Sequence, residues 1–502
     1  MLTFVASMMA ATLSAQIDTD FVRELSDFTK FRDSIFNDFE DFRRKANEEF
    51  ANFLAEAWKP EPTQPAVEPP MKPKPVEPVY APPRPTRPVH SPDGQQGLKD
   101  PDKPDVPLER PSEVLLPFNG KPIEPKPIDR PQPIEPIKLE PRNLAPASSF
   151  RFFDTPMTFH FDNSKTLKLD DASEKSVSEM WKQLADSKYD NIIAECLQNK
   201  ADRNLCDWGY LLLTKKVAEE YCGTGTNESV VMHMYLLTQS GYRVRIGRAQ
   251  NKLGLLYGSQ AIIYRCKYFD LDGEKFYILD KSLENIPFCV FNHAFPKEKS
   301  LSLAITQPKL SVFQTEERTF SSKRYSNLRV TVETNQNLID FYNTYPLSSE
   351  WNTYSKASLS ELLKETLYPA LREAIKGKTD AEAANILLDF IQTGFDYKTD
   401  SQQFGYERPL FPDETFYYPY CDCEDRSILF ACFVRELMGL DVVLLHYPKH
   451  LATAVHFNDD VVGDYLMIEG KKYVICDPTY IGASIGECMP MYKTTEPVVQ
   501  KF

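Results

Sequence analysis

The sequence predicts an α+β fold spread over more than one domain. Helical and strand-like hydrophobic periods alternate through roughly the last 355 residues, a signature shared by α+β and α/β proteins. The chain is 502 residues long, more than a single core usually serves. And 26 of its 39 prolines fall between Pro60 and Pro146, a break that separates an N-terminal segment from the rest.

The elements follow in order. Residues 1–15, "MLTFVASMMAATLSA", form a short apolar run ending in small residues. That is too short to span a bilayer and has the pattern of a secretion signal, so a secreted or periplasmic location is expected. Residues 18–58 read as one aromatic amphipathic helix, with Phe21, Leu25, Phe28, Ile35, Phe39, Phe42, Ala46 and Phe53 at three- and four-residue steps. Such a stripe needs a cover. Docking onto the chain's own domains, self-association, or a partner's groove would each supply one. Residues 59–147 are the Pro-rich linker, where helix and sheet interiors are excluded and an extended spacer is expected.

Within 148–335, "NESVVMHMYLLTQSGY" (227–242) is a helix stopped by Gly241. "RVRIGRA" and a hairpin turning at Asp272-Gly273 follow. Within 336–502, residues 358–400 give two helices with a Gly377 stop between them, the second capped at Thr379. The helix of "CEDRSILFACFVRELMGL", the strands "DVVLLHY" and "HLATAVHF", and a hairpin turning at Glu469-Gly470 complete the chain.

These two halves resemble each other. Ser229 can be laid on Ser427, Gly241 on Gly439 and Asp280 near Asp477, about 198 residues apart. On this register Gly225 takes the place of Cys423, and no histidine falls at the matching strand of the first copy. The first copy is therefore expected to be non-catalytic.

A formal charge of −14 excludes a basic nucleic-acid face, and no later segment has eighteen uninterrupted apolar residues for a membrane span. Ten cysteines in this length are not a disulfide framework, although Cys196 could pair with Cys206, and Cys421 with Cys476 or Cys488. Zinc at Cys421 and Cys423 would need two more ligands at suitable spacing, so no metal or cofactor is expected.

Cys423 opens an apolar helix, where free N–H groups and the macrodipole favour a thiolate. A nucleophilic cysteine needs a base, and His446, His450 and His456 follow closely. His450 heads a strand, and Asp477 ends the next hairpin before Pro478. "CEDRSILFACFVRELMGL", "HLATAVHF" and "DPTY" together resemble the three motifs of the transglutaminase-like superfamily, the papain-related Cys-His-Asp fold. The resemblance covers roughly residues 340–490. It implies Cys423 as nucleophile, His450 as base and Asp477 as the residue orienting the base. It also implies a degenerate copy of the same domain over 148–335. The backbone N–H of Cys423 would be one oxyanion donor, with Gln402, Gln403 or Tyr420 as the second.

The expected function is an exported cysteine peptidase or amidase acting on a protein or peptide substrate through an acyl-enzyme. The alternatives are acyl transfer to amines and a non-catalytic binding scaffold.

Overall fold

The computed structural model describes residues 41–69, 79–80, 147–161, 167–185, 189–348 and 351–501. The signal-like segment and residues 18–40 lie outside them. The architecture is α+β. The described helix α1 runs over 41–54, and Trp58 follows it outside the helix. Its apolar face is covered by the chain itself: Phe50, Ala51, Leu54 and Trp58 sit in the core of the first half. The Arg43 guanidinium reaches both oxygens of Asp190 at 2.7 Å, and Trp181 donates to Asn47 Oδ1 at 3.1 Å. The described part of the stripe is therefore used internally; only its fringe, Phe42 and Phe53, faces solvent.

The Pro-rich linker is more than a spacer. Its first residues form β1 (Lys59–Glu61), antiparallel to residues 288–290, and Gln64 and Val67 continue along Tyr268 and Tyr264. β2 (Val79–Tyr80) pairs with Tyr480–Ile481, far along the chain. Proline tolerates this because β1 is an edge strand, where a missing N–H costs no ladder bond.

A hairpin of β3 (Ala147–Phe152) and β4 (Thr155–His160) leads into four helices, α2 (Glu174–Ala185), α3 (Asp190–Asp202), α4 (Asp207–Cys222) and α5 (Asn227–Gln239). The sheet of the first half then adds β5 (Val244–Ala249), β6 (Lys252–Gly258), β7 (Tyr268–Leu271), β8 (Glu274–Ile278) and β9 (Phe288–Phe291). Strand β6, "KLGLLYG", was not anticipated; it turns back from β5 at Gln250, which takes φ of 57°. The second half begins with the hairpin β10 (Arg318–Ser321) and β11 (Arg329–Val332). Helices α6 (Gln336–Asn343), α7 (Trp351–Ser355), α8 (Glu361–Ile375), α9 (Asp380–Gly394), α10 (Asp400–Gln403), α11 (Pro412–Tyr417) and α12 (Cys423–Phe433) follow. Its sheet is built from β12 (Asp441–Tyr447), β13 (His450–His456), β14 (Tyr465–Ile468) and β15 (Lys471–Cys476). The short β16 (Tyr480–Ile481) pairs with β2, and β17 (Val498–Gln500) closes the sheet at β12.

The anticipated stops and turns have physical reasons. Gly241, Gly377 and Gly439 take φ of 82°, 70° and 68°, the left-handed conformation that ends a helix cheaply only at glycine. Thr379 and Glu382 form a reciprocal capping box at the head of α9.

The two sheets share one topology. The strand orders β9-β5-β6-β8-β7 and β17-β12-β13-β15-β14 match element for element, and every pairing in them is antiparallel. In the second sheet Val442 and Leu444 face the helices while Val443 and Leu445 face the opposite core, the period-two alternation of a sheet buried on both sides. Helix α12 runs through the middle, and all eleven of its residues are buried.

Candidate functional site

The site gathers where the head of α12 meets the start of β13 and the end of β15. Asp422 precedes α12, and its amide donates to Asp425 Oδ2 at 3.0 Å; the other oxygen of Asp425 takes the Leu410 amide at 2.8 Å. One turn on, the Ser427 hydroxyl donates to the Leu451 carbonyl at 2.7 Å, pinning the helix beside His450. Arg426 donates to the carbonyls of Gln392 and Phe395, tying the same helix to the end of α9.

His450 heads β13 opposite Tyr447 after a two-residue turn, Pro448-Lys449. Proline at the first turn position and Lys449 at φ 69° give a tight type II reversal. His450 Nε2 lies 2.8 Å from Asp477 Oδ2, and both side chains are within a few per cent of full burial. Asp477 Oδ1 accepts the amides of Thr479 at 2.9 Å and Tyr480 at 3.3 Å, so the carboxylate is held from two sides. His450 Nδ1 is buried and has no hydrogen-bond partner among the described residues. Cys423 is 1 % exposed, and its thiol donates to Glu424 Oε2 at 3.0 Å.

The remaining candidates are placed elsewhere. His456, at the far end of β13, has Nδ1 2.9 Å from the Lys472 carbonyl. His446 lies on β12 opposite Leu451. The Cys421 amide donates to Asp396, and burial, against the opposing pull of Arg426, pushes its thiol up to about 12. All ten cysteines are free thiols, so neither Cys196–Cys206 nor a Cys421 disulfide forms; Cys476 and Cys488 are likewise buried thiols raised by desolvation. Gln402 accepts the Thr399 amide in a cap, and Gln403 Nε2 donates to the Tyr420 carbonyl at 3.2 Å.

Two residues at the site escaped the sequence reading. Gln392 of α9 donates through Nε2 to the carbonyls of Asp477, Tyr480 and Ala483 at 2.9–3.2 Å, and its Oε1 accepts the Gly482 amide. It clamps the loop that carries Asp477. Its signal was a polar side chain four residues after Leu388 on an apolar helix face. Tyr492 lies parallel to His450, with ring centroids 5.2 Å apart and planes at 11°, and donates to the Pro448 carbonyl at 3.3 Å. Burial first, then the nearby Cys423 and Asp477, push its phenol up to about 12, which keeps it protonated at neutral pH.

Carboxylate oxygens of Asp400, Glu407 and Glu424 come within 4.8 Å of one another, as do ligand atoms of Asp422, Cys423 and Glu424. The first is an all-oxygen set suited to a hard cation. Protein donors already share part of it: Asp400 Oδ2 takes the Arg408 amide at 2.6 Å.

In the first sheet Lys252 heads β6 opposite Ala249, as His450 heads β13 opposite Tyr447. Asp280 follows β8 as Asp477 follows β15, and each accepts the amide two residues on. Gly225, Lys252 and Asp280 line a cavity of about 360 Å³. The corresponding positions thus hold no thiol and no imidazole. Among the described residues no helix is long and apolar enough to cross a membrane. No protein-family model, curated protein or solved structure gives a match to this chain.

Proposed function

We propose that the chain is an exported cysteine-nucleophile hydrolase of amide bonds, a peptidase or amidase, with a transglutaminase-like domain over 336–502 and a non-catalytic copy over 148–335. The observation that carries this reading is the buried His450–Asp477 pair. Its outer carboxylate oxygen is fixed by backbone amides, and its second imidazole nitrogen is left open beside the helix that Cys423 heads.

The Cys423 thiol passes its proton to His450 Nδ1, and the sulfur attacks the amide carbonyl carbon to give a tetrahedral oxyanion. The Cys423 backbone N–H, at the helix head, is an oxyanion donor. Asp477 accepts from Nε2–H and stabilises the imidazolium, which then protonates the departing amine as the C–N bond breaks. Water, giving its proton to Nδ1, attacks the thioester and releases the acid and the thiol. An amine in place of water turns the same steps into acyl transfer.

The test is labelling with a thiol-directed, amide-bearing alkylating probe at neutral pH. Cys423 is expected to react at least 100-fold faster than the other nine cysteines, the label to disappear in Cys423→Ala, and His450→Ala to slow it at least tenfold. Equal labelling at every cysteine, or a rate indifferent to His450→Ala, sinks the enzyme reading. Ammonia release with and without an added amine then separates hydrolysis from transfer.

A further inference from the structure

The Pro-rich segment does not simply leave the first half of the chain. It pairs with the first sheet from Lys59 to Val67, then reappears as Val79–Tyr80 in parallel pairing with Tyr480–Ile481. Tyr480 is three residues beyond Asp477. Its own amide donates to Asp477 Oδ1, and its carbonyl accepts from Gln392. The segment is therefore seated on the same short piece of backbone that orients the carboxylate of the site.

The seating has a reason in the sequence. Around it reads "KPKPVEPVYAPPRPTRPV", residues 72–89, where seven of the eighteen residues are proline and lack the backbone donor. Val79-Tyr80-Ala81 is the one run of three residues in that stretch with every backbone N–H present, and two of them make the pairing. A two-residue pairing hemmed by prolines is weak, because propagation in either direction is blocked. The site beside it is closed: Cys423, His450 and Asp477 are each no more than 3 % exposed. A substrate amide that reaches Cys423 must displace something, and an extended chain on a free backbone edge is the usual way a peptide presents its carbonyls.

We propose that the Tyr480–Ile481 edge is the docking edge for an extended, proline-containing peptide substrate, and that Val79–Tyr80 occupies it in cis as a tethered competitor. This rests on the hydrolase reading given above, and it adds a substrate class and an autoinhibitory contact to it. Recognition runs through backbone hydrogen bonds to the edge, so it selects extended conformation first. Proline supplies that conformation at low entropic cost.

The experiment uses the full chain and the same thiol-directed probe. The double variant Val79→Pro/Tyr80→Pro removes both backbone donors of the strap, and an unchanged urea midpoint shows that it folds. Its Cys423 labelling rate is expected to rise at least fivefold over the unmodified chain. A synthetic peptide of residues 72–89, added in trans to the double variant, is expected to return the rate towards the original value, whereas a peptide with Val79 and Tyr80 replaced by proline does not. An unchanged or slower rate in the double variant overturns the proposal, as does a peptide without effect on it. If the double variant fails to fold, the single variant Tyr80→Pro, which removes one backbone donor of the strap, decides: faster labelling of Cys423 supports the cis competitor, and an unchanged or slower rate overturns it. His450-dependent labelling of Cys423 in the unmodified chain is read in the same series, so loss of the strap proposal leaves the hydrolase reading separately judged.

Discussion

At the scale of single residues, the site depends on side chains that hold others in place. Gln392 bonds to four backbone groups of the Asp477 loop, and it is 2 % exposed. Gln392→Leu leaves those carbonyls unsatisfied in the interior, at a cost of about 3 kcal/mol, and frees the loop to move Asp477 away from His450. The expected result is a lower urea midpoint together with at least tenfold slower labelling of Cys423. A variant with lowered stability and undiminished labelling would reduce Gln392 to a purely structural role. Glu424 acts in the opposite sense. Its Oε2 accepts the hydrogen bond of the Cys423 thiol at 3.0 Å and so occupies the proton that His450 would take; Glu424→Ala is expected to speed labelling of Cys423 at least threefold at neutral pH. A rate that stays, or falls, excludes that contact as a restraint on the thiol. Cys423, His450 and Asp477 could be picked from the sequence because each belongs to a short local pattern: a helix head, a strand head, a strand end. Gln392 and Tyr492 could not be assigned a role. The partners of Gln392 lie 85 to 91 residues away, and no local spacing encodes that distance.

At the scale of elements, the periodicities read from the sequence were physical constraints, and their partners were not. The aromatic stripe had to be covered, but three covers satisfied it equally; the described portion, 41–54, lies on the chain's own α2 and α3. Phe50 packs 4.8 Å from the Trp181 ring and edge-on to Phe291 at 5.1 Å. Phe50→Ala is therefore expected to cost roughly 3–5 kcal/mol by urea unfolding, the range for an aromatic removed from a well-packed core. A loss under 1 kcal/mol would mean that α1 is not part of the folded unit. Strand β6 was missed because "KLGLLYG" carries two glycines, Gly254 and Gly258, which lower strand propensity. Gly254 is there because Leu283 and Phe288 leave no room for a side chain: a Cβ would lie 2.9 Å from Leu283 Cδ1. Helix α11 carries a pH-dependent cost of its own. Asp413 is fully buried, accepting the Ser360 amide, and burial holds its carboxyl at about 7 against an ordinary 3.8. Below pH 4 folded and unfolded chains both keep the proton. Between 4 and 7 only the unfolded chain releases it, so stability falls as pH rises through that window, by on the order of 4 kcal/mol, and levels off above it. Asp413→Asn removes the titration, and its stability is expected to fall less than that of the unmodified chain between pH 4.5 and 7.5. Equal slopes would show that Asp413 is ionised throughout.

At the scale of the whole molecule, a repeat in the sequence suggested two separable domains, whereas the cores are interleaved. The core of the first half uses residues 50–305 and then Leu338, Phe341, Tyr342, Tyr354 and Ala357. The core of the second half takes Phe320, Leu328, Val330 and Val332 from the hairpin β10–β11, and resumes at Leu359. Each half has thus lent a piece of chain across the other. A cut between 305 and 320 strips α6 and α7 from the first core, and a cut between 357 and 359 strips β10–β11 from the second. A cut at 335/336, the boundary that the repeat suggests, does both. Ile428 of α12 and Phe411 join the first core as well, so the helix that carries Cys423 is packed by both halves. Because neither core is complete without chain from the other half, loosening one removes buried apolar surface from the other, which is the physical condition for a shared transition. Thermal unfolding followed by calorimetry is expected to give a single transition. A probe of the second half alone, the burial of Cys432, should report the same midpoint as far-UV circular dichroism. Two transitions separated by more than about 5 °C, a gap of roughly 1 kcal/mol or more for units of this size, would mean that the exchanged segments contribute little. In that case fragments 41–335 and 336–501 should each remain soluble and folded. With one transition, both fragments are expected to expose the faces that α6, α7 and the hairpin cover, and to aggregate.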